Sequence, residues 1–281
     1  MHRPVSIIIP AHNEAAYIGT CLDALLHSTW AQPVPAPQII VVANGCNDDT
    51  AAIAQGFAAR FADIGWSLQV IDTAIGSKPN ALNLGDRTAT GDIRIYLDAD
   101  VTVSPDLVAQ LAQSLDRPAP AYAGGEPVVT APPRGLARAY ARFWSGLPFV
   151  TEDVPGFGLF AVNRAGRNRW GDFPDIISDD TFVRLNFTPA ERVRVTASYS
   201  WPIVTGLKQL IQVRRRQDRG VAEIGAQYPD LLRNGSQNRP GLAGLLRRLL
   251  RDPVGFATYA GVSLAVRLPI LKSQTQWSRG R

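Results

Sequence analysis

Cysteine is nearly absent from this chain. Only Cys21 and Cys46 occur in 281 residues, at a spacing that suits neither a metal knuckle nor a disulfide framework. A cross-linked secreted scaffold is therefore excluded, and the two read as reduced thiols of a cytosolic protein. Lysine is scarce too: three lysines stand against 26 arginines, so a lysine inside a motif is informative. No apolar run spans a bilayer. The longest late uncharged stretch, residues 253–266, has 14 residues, where about 20 are needed. The opening MHRPVSIIIP has a short apolar run broken by Pro10 and reads as a first strand, not a secretory signal. The segment after it, PAHNEAAYIG, is neither glycine-rich nor basic, which argues against a nucleotidyltransferase phosphate loop. No internal repeat is visible, and with Trp201 and Trp277 far apart no base-stacking motif marks a nucleic-acid binder.

What is present is a core and a charge asymmetry. The length of 281 residues allows one large α/β domain with extras or two small domains, and hydrophobic residues at 46% are too many for general disorder. Residues 200–281 carry 14 Lys and Arg against 4 Asp and Glu, a net of +10, while the preceding 199 residues carry 15 against 20, a net of −5. A basic C-terminal part joined to an acidic body suits an anionic partner, whether substrate phosphate, an anionic membrane face or nucleic acid; a solvated surface in an arginine-rich chain is the alternative. Arg247, Arg248, Arg251, Arg267 and Lys272 flank the late uncharged run, as expected of a segment lying along a membrane surface; a buried or dimer-forming helix is the alternative.

Periodicity predicts strands at residues 5–9, 38–42, 66–71 and 93–97. Helices are expected at 14–27, from Asp48 or Asp49 through Phe61, at 79–87, and at 104–115 with Ser104 as N-cap and Pro105 at the first helical position. PVPAP at 33–37 is a loop. Strands alternating with helices imply a parallel sheet covered on both faces. In such sheets ligands bind beyond the carboxyl ends of the strands. Polar residues gather there: His12, Asn13 and Glu14; Asn44, Asn47 and Asp48; Asp98 and Asp100. Asp98 and Asp100 leave the end of one strand on one face, where a divalent cation carrying phosphate oxygens would relieve their repulsion.

The motifs SIIIPAHNEAAYI (6–18), VVANGCNDDT (41–50), SKPNALNLG (77–85) and YLDADV (96–101), followed by GFGLFAVNR (156–164), IISDDTFVRL (176–185) and QVRRRQDRG (212–220), together resemble family 2 glycosyltransferases. The resemblance covers roughly residues 4–220. It implies the GT-A fold, a Rossmann-like, mostly parallel sheet flanked by helices, here with a basic helical C-terminal extension. It implies a glycosyltransferase domain over 1–225, with a nucleotide-sugar half at about 1–130 and an acceptor half at about 131–225, then a basic amphipathic tail over 226–281.

Residue by residue, the resemblance places Pro10, His12, Asn13 and Glu14 around the nucleoside, largely through backbone groups, with Glu14 accepting from a ribose hydroxyl. Asn44 stands where the family usually has an acidic residue reading the base edge. Lys78, ahead of the Ala81-Leu82-Asn83 triplet, is expected on phosphate or sugar, with Asn83 also on the donor side. Asp98 is expected on ribose or sugar hydroxyls and, with Asp100, at a Mn²⁺ or Mg²⁺ ion. Glu126, Gly156, Phe157 and Gly158 fall on the acceptor side. Asp179-Asp180 replaces the family's usual Glu-Asp pair, and Asp180 is the expected general base. Arg214, Arg215 and Arg216 match the region of a Gln-x-x-Arg-Trp motif whose Trp is missing. Arg216 or Gln217 takes its place, and Arg215 and Arg216 are expected on the departing diphosphate. The missing Trp and the lack of membrane spans imply a non-processive enzyme. The expected reaction is inverting, metal-dependent transfer from a nucleoside-diphosphate sugar, a UDP-sugar favoured, to an acceptor hydroxyl that a membrane-facing tail would suit if lipid-linked. The expected location is cytoplasmic, peripheral at the inner face of the plasma membrane. The rival from another class is a non-catalytic sugar-nucleotide or membrane-surface binder.

Overall fold

The computed structural model describes residues 3–30, 35–132, 134–235 and 241–268; Pro33 and Val34 of the 33–37 loop, Lys272 and Trp277 lie outside them. In chain order the elements are β1 (Val5–Ala11), α1 (Ile18–Leu26), β2 (Gln38–Asn44), α2 (Thr50–Gln55), α3 (Ala58–Asp63), β3 (Ser67–Thr73), α4 (Lys78–Thr88), β4 (Ile93–Leu97), β5 (Thr102–Val103) and α5 (Leu107–Leu115). There follow β6 (Tyr122–Thr130), α6 (Leu136–Ser145), α7 (Pro148–Thr151), β7 (Leu159–Asn163), α8 (Arg164–Arg167), α9 (Asp179–Leu185), β8 (Arg192–Pro202), α10 (Leu207–Gln227), α11 (Leu242–Arg251) and α12 (Pro253–Arg267).

The chain divides into two compact units, residues 1–128 with 154–201, and residues 129–153 with 202–281. The first holds an eight-stranded sheet in the order β3-β2-β1-β4-β7-β6-β8-β5. The strands β3, β2, β1 and β4 are parallel, as their alternation with helices requires. Beyond β4 the neighbours run antiparallel: β7 against β4 and β6, and β5 against β8. β1 is buried at every residue, because helices cover both faces of a central parallel strand. β3, at the sheet edge, alternates between exposed and half-buried positions. Ile7, Ile9, Ile39, Val41, Leu107 and Leu111 lie in the core.

Four local expectations shift. The helix foreseen over 14–27 is α1, which begins at Ile18 after a turn at 15–17. β1 continues through Pro10 to Ala11. The helix foreseen through Phe61 is two helices, α2 ending at Gly56 before α3 begins, glycine being a poor helix interior. The helix foreseen from Ser104 starts at Leu107; the Ser104 hydroxyl instead accepts from the Ser198 backbone N–H of β8 (3.1 Å), and residues 105–106 form a turn closed by the Leu107 N–H on the Ser104 carbonyl (3.1 Å).

The second unit begins at Pro202, earlier than the expected boundary at 226, and takes in residues 129–153. The reason is packing: α6 stacks its aromatic face on α12, Tyr140 on Tyr259 (5.7 Å) and Phe143 on Phe256 (5.6 Å). Arg215 of α10 closes the far end of α12. Its guanidinium donates to the carbonyls of Ala265 (2.8 Å), Val266 (3.0 Å) and Leu268 at a helix C-terminus whose last carbonyls lack intrahelical donors; the Ala265 carbonyl also accepts from the Leu268 N–H (3.3 Å).

Candidate donor and acidic site

The carboxyl ends of β1, β2 and β4 turn into loops that are knitted together. Asn13, with φ of 54° the single non-glycine residue in the left-handed region among those described, accepts through Oδ1 from the Asn47 N–H (2.7 Å). Asparagine tolerates that conformation better than most residues. His12 donates from Nδ1 to the Asn44 carbonyl (2.6 Å), which fixes its tautomer. The Glu14 N–H donates to the Thr50 hydroxyl (2.7 Å), and Asp48 receives the N–H groups of Ala15 and Thr50. Gly45 (φ +57°) lets the second loop press on a third: a Cβ there would lie 2.7 Å from the Gly76 Cα. Pro10 and His12 thus stand where three loops meet.

Asn44 is buried, its Nδ2 donating to the Ala11 carbonyl (2.8 Å) across the β1–β2 ends, with Oδ1 enclosed and without a hydrogen-bond partner. A side chain so turned shapes the loop junction. Asn83 is likewise committed. It donates to the Phe173 carbonyl (3.1 Å) and accepts from the Phe173 N–H (2.7 Å), so it pins the segment leading to α9.

Lys78 opens α4, at the positive end of that helix's dipole, after the Ser77 N-cap. A cation there needs carboxylates to stabilise it, and two meet it. Its ammonium lies 2.9 Å from Asp98 Oδ1 and 3.2 Å from Asp179 Oδ2. Burial pulls the lysine down, but Asp179 and Asp98 outweigh that and hold it above the ordinary lysine range. Asp180 follows Asp179 in the first turn of α9. Burial and the adjacent Asp179 push its carboxyl up to about 6, while Lys78 and the Thr181 N–H oppose the rise. At neutral pH such a group is ionised and close to the strength suited to a base.

The strip beside Asp98 is built from the antiparallel half. The Asp98 N–H donates to the Gly158 carbonyl (2.9 Å). Gly156 and Gly158 both have positive φ, and a Cβ on Gly158 would stand 2.6 Å from the Trp201 ring. The Phe157 ring meets Trp201 (4.7 Å) and its carbonyl accepts from the Tyr199 hydroxyl (2.9 Å). In the sequence Trp201 was weighed only for base stacking and Tyr199 was not singled out; their alternation on β8 is the signal that could have placed them at this strip. Glu126 is exposed on β6, 3.6 Å from Arg194 of β8.

Asp98 and Asp100 offer hard oxygen donors. Among the described residues no group of three or more His, Cys, Asp or Glu closes round an ion. Two carboxylates fit a Mn²⁺ or Mg²⁺ ion whose remaining ligands are substrate phosphates and water. Arg214, Arg215 and Arg216 lie on α10 of the second unit. There Arg214 pairs with Asp218 (3.4 Å). The guanidinium of Arg215 donates to carbonyls at the end of α12.

Residues 6–169 match the family described as Glycosyl transferase family 2. A 4,4'-diaponeurosporenoate glycosyltransferase of Staphylococcus aureus is 30% identical over 170 residues, which are 59% of this chain and 41% of that one. The chain thus spans less than half of that relative's length. Among solved structures, a mannosyltransferase of Pyrobaculum calidifontis in complex with GDP-Man and Mn²⁺ aligns over 94% of this chain and 75% of its own, with TM-score 0.60 at 22% identity. Glucosyl-3-phosphoglycerate synthase of Mycobacterium tuberculosis, in complex with Mn²⁺, UDP and glucosyl-3-phosphoglycerate, covers 80% of this chain and 79% of its own with TM-score 0.51 at 20% identity. These two likenesses concern the fold.

Proposed function

The chain belongs to glycosyl transferase family 2, and from that premise we propose that it moves one sugar from a nucleoside-diphosphate sugar to an acceptor hydroxyl with inversion. The observation that carries this is the acidic cluster: Asp98, Asp179 and Asp180 gathered round one half-buried lysine at the mouth of the parallel strands. Asp180 takes the proton of the acceptor hydroxyl as that oxygen bonds to the anomeric carbon. The bond from that carbon to the diphosphate oxygen breaks on the opposite face, and the nucleoside diphosphate leaves with the electron pair. Oxocarbenium character in the transition state is expected of glycosyl transfer, and no covalent enzyme intermediate is needed. Asp100, with Asp98 beside it, would hold a Mn²⁺ or Mg²⁺ ion that supplies positive charge to the departing diphosphate. The loops bearing His12, Asn13 and Glu14 would take the nucleoside. A UDP-sugar is favoured, and a neighbour of the same fold was determined with UDP.

The test is release of nucleoside diphosphate from a panel of sugar nucleotides with acceptor glycosides and Mn²⁺, comparing the protein with its Asp180→Asn variant. The variant keeps size and hydrogen bonding but cannot take a proton. Its transfer rate is expected to fall by about 10²–10⁴-fold, with nucleotide affinity within about threefold. Full transfer by the variant removes Asp180 as base. No release from any donor by either protein would favour a non-catalytic sugar-nucleotide binder.

A further inference from the structure

Two helices of the second unit wear their apolar residues outward. On α11, Leu245, Leu246 and Leu250 are exposed, Leu250 to 75%. Arg248, on the other face, is turned inward and donates to the Gly146 carbonyl. A surface helix ordinarily does the reverse. α12 repeats the inversion. Its inner face is already occupied, with Phe256 and Tyr259 against α6 and with Gly255 and Val262 buried. Its outer face, Val254, Ala257, Gly261 and Leu264, continued by Leu268, follows alternating three- and four-residue steps and is exposed throughout. No charge interrupts it. Apolar surface gathered in this way marks a contact site rather than ordinary scatter.

The charge around this face selects the partner. Residues 241–268 carry four arginines and one acidic residue. That residue, Asp252, is held by both arms of Arg142 (2.6 and 2.9 Å) while capping α12 through the Gly255 N–H. Arg247 and Arg251 on α11 and Arg267 at the end of α12 are exposed. Leucines rimmed by arginines alone suit a layer that is apolar within and anionic at its surface, the arginine stems reaching up to the phosphates. No helix among the described residues is long and apolar enough to cross a membrane, so these helices would lie along it.

We propose that the outward face of α11 and α12 is a docking surface for an anionic lipid bilayer, entered by Leu246, Leu250 and Leu264. The proposal goes beyond the donor-site reading and does not depend on it, since binding is measured without nucleotide.

The full chain is floated with vesicles of phosphatidylcholine alone and with about one-third phosphatidylglycerol, with gel filtration in parallel. It is expected to bind the mixed vesicles at least about tenfold more tightly than the neutral ones. The triple variant Leu246→Glu, Leu250→Glu, Leu264→Glu is expected to lose about a hundredfold or more with an unchanged melting temperature. Failure to bind mixed vesicles, or equal binding by a folded triple variant, overturns the proposal. So does a dimer that the triple variant dissolves, which would assign the face to a second copy. Should the triple variant not fold, an environment-sensitive probe on Leu250→Cys in the otherwise native chain decides. Its emission shifts blue on mixed vesicles if the face docks, and stays fixed if it does not.

Discussion

Lys78 is a cation at the wrong end of a helix, and the two carboxylates that hold it there also determine how Asp180 behaves. Burial and Asp179 raise Asp180 to about 6, so the native state binds its proton more tightly than the unfolded chain, where an aspartate titrates near 4. The sign follows: the stabilisation from protonating Asp180 is complete below about pH 4 and is lost as pH rises through about 6. On the proposed mechanism activity runs the other way, since Asp180 would act as base only when ionised, so transfer should fall about tenfold per unit below pH 6. Lys78 opposes the rise in Asp180. The Lys78→Met variant should therefore move this acidic limb to higher pH by roughly one unit or more, read from kcat against pH. A limb that stays in place would mean that Lys78 does not act on the base. Burial likewise pushes the Cys21 thiol, beside Asp98, up to about 12, which leaves it inert as a nucleophile.

At the scale of elements, the path from α4 to α9 is held by pairs far apart in sequence. Asn83 clamps the backbone of Phe173 from both sides. Arg167 of α8 donates to the carbonyls of Trp170 (2.8 Å) and Gly171 (2.9 Å) while pairing with Asp86 of α4. These hold the segment that ends in Asp179-Asp180. The Asn83→Ala variant leaves both Phe173 backbone groups unmatched, at a cost of about 1–3 kcal/mol. It should lower kcat more than it weakens nucleotide affinity, and chemical denaturation with steady-state kinetics reads both. Equal loss in kcat and affinity would return Asn83 to the donor pocket. The four parallel strands were legible because β-branched runs ending in turn residues allow little else: Ile93–Leu97 was read to the residue. The antiparallel half was not, because β6, β7 and β8 sit among Gly, Pro and aromatic residues whose pairing is non-local. The acidic pair and Lys78 were legible as motifs. That one ammonium joins residues about a hundred positions apart was not, and neither was the inward turn of Asn44, which depends on how β1 and β2 end together.

For the molecule as a whole, an acidic body beside a strongly basic C-terminal part means that ligand charge and ionic strength both act on stability. A ligand that binds only the folded state adds about 2.7 kcal/mol at a hundred times its Kd. For a chain of this size that is a melting shift of about 5–8 °C. Nucleoside diphosphates and their sugars should give such a shift with Mn²⁺ present and a much smaller one in EDTA, because Asp98 and Asp100 supply too few ligands to keep an ion without the diphosphate. The base giving the largest shift identifies the nucleoside, and uridine is expected. The Asp100→Ala variant should erase the part of the shift that Mn²⁺ adds and keep the part seen in EDTA. If Asp100→Ala responds to Mn²⁺ like the parent, the ion is held elsewhere. Asp98 would then serve the lysine and the sugar, and the pair at the end of β4 would be divided between two tasks.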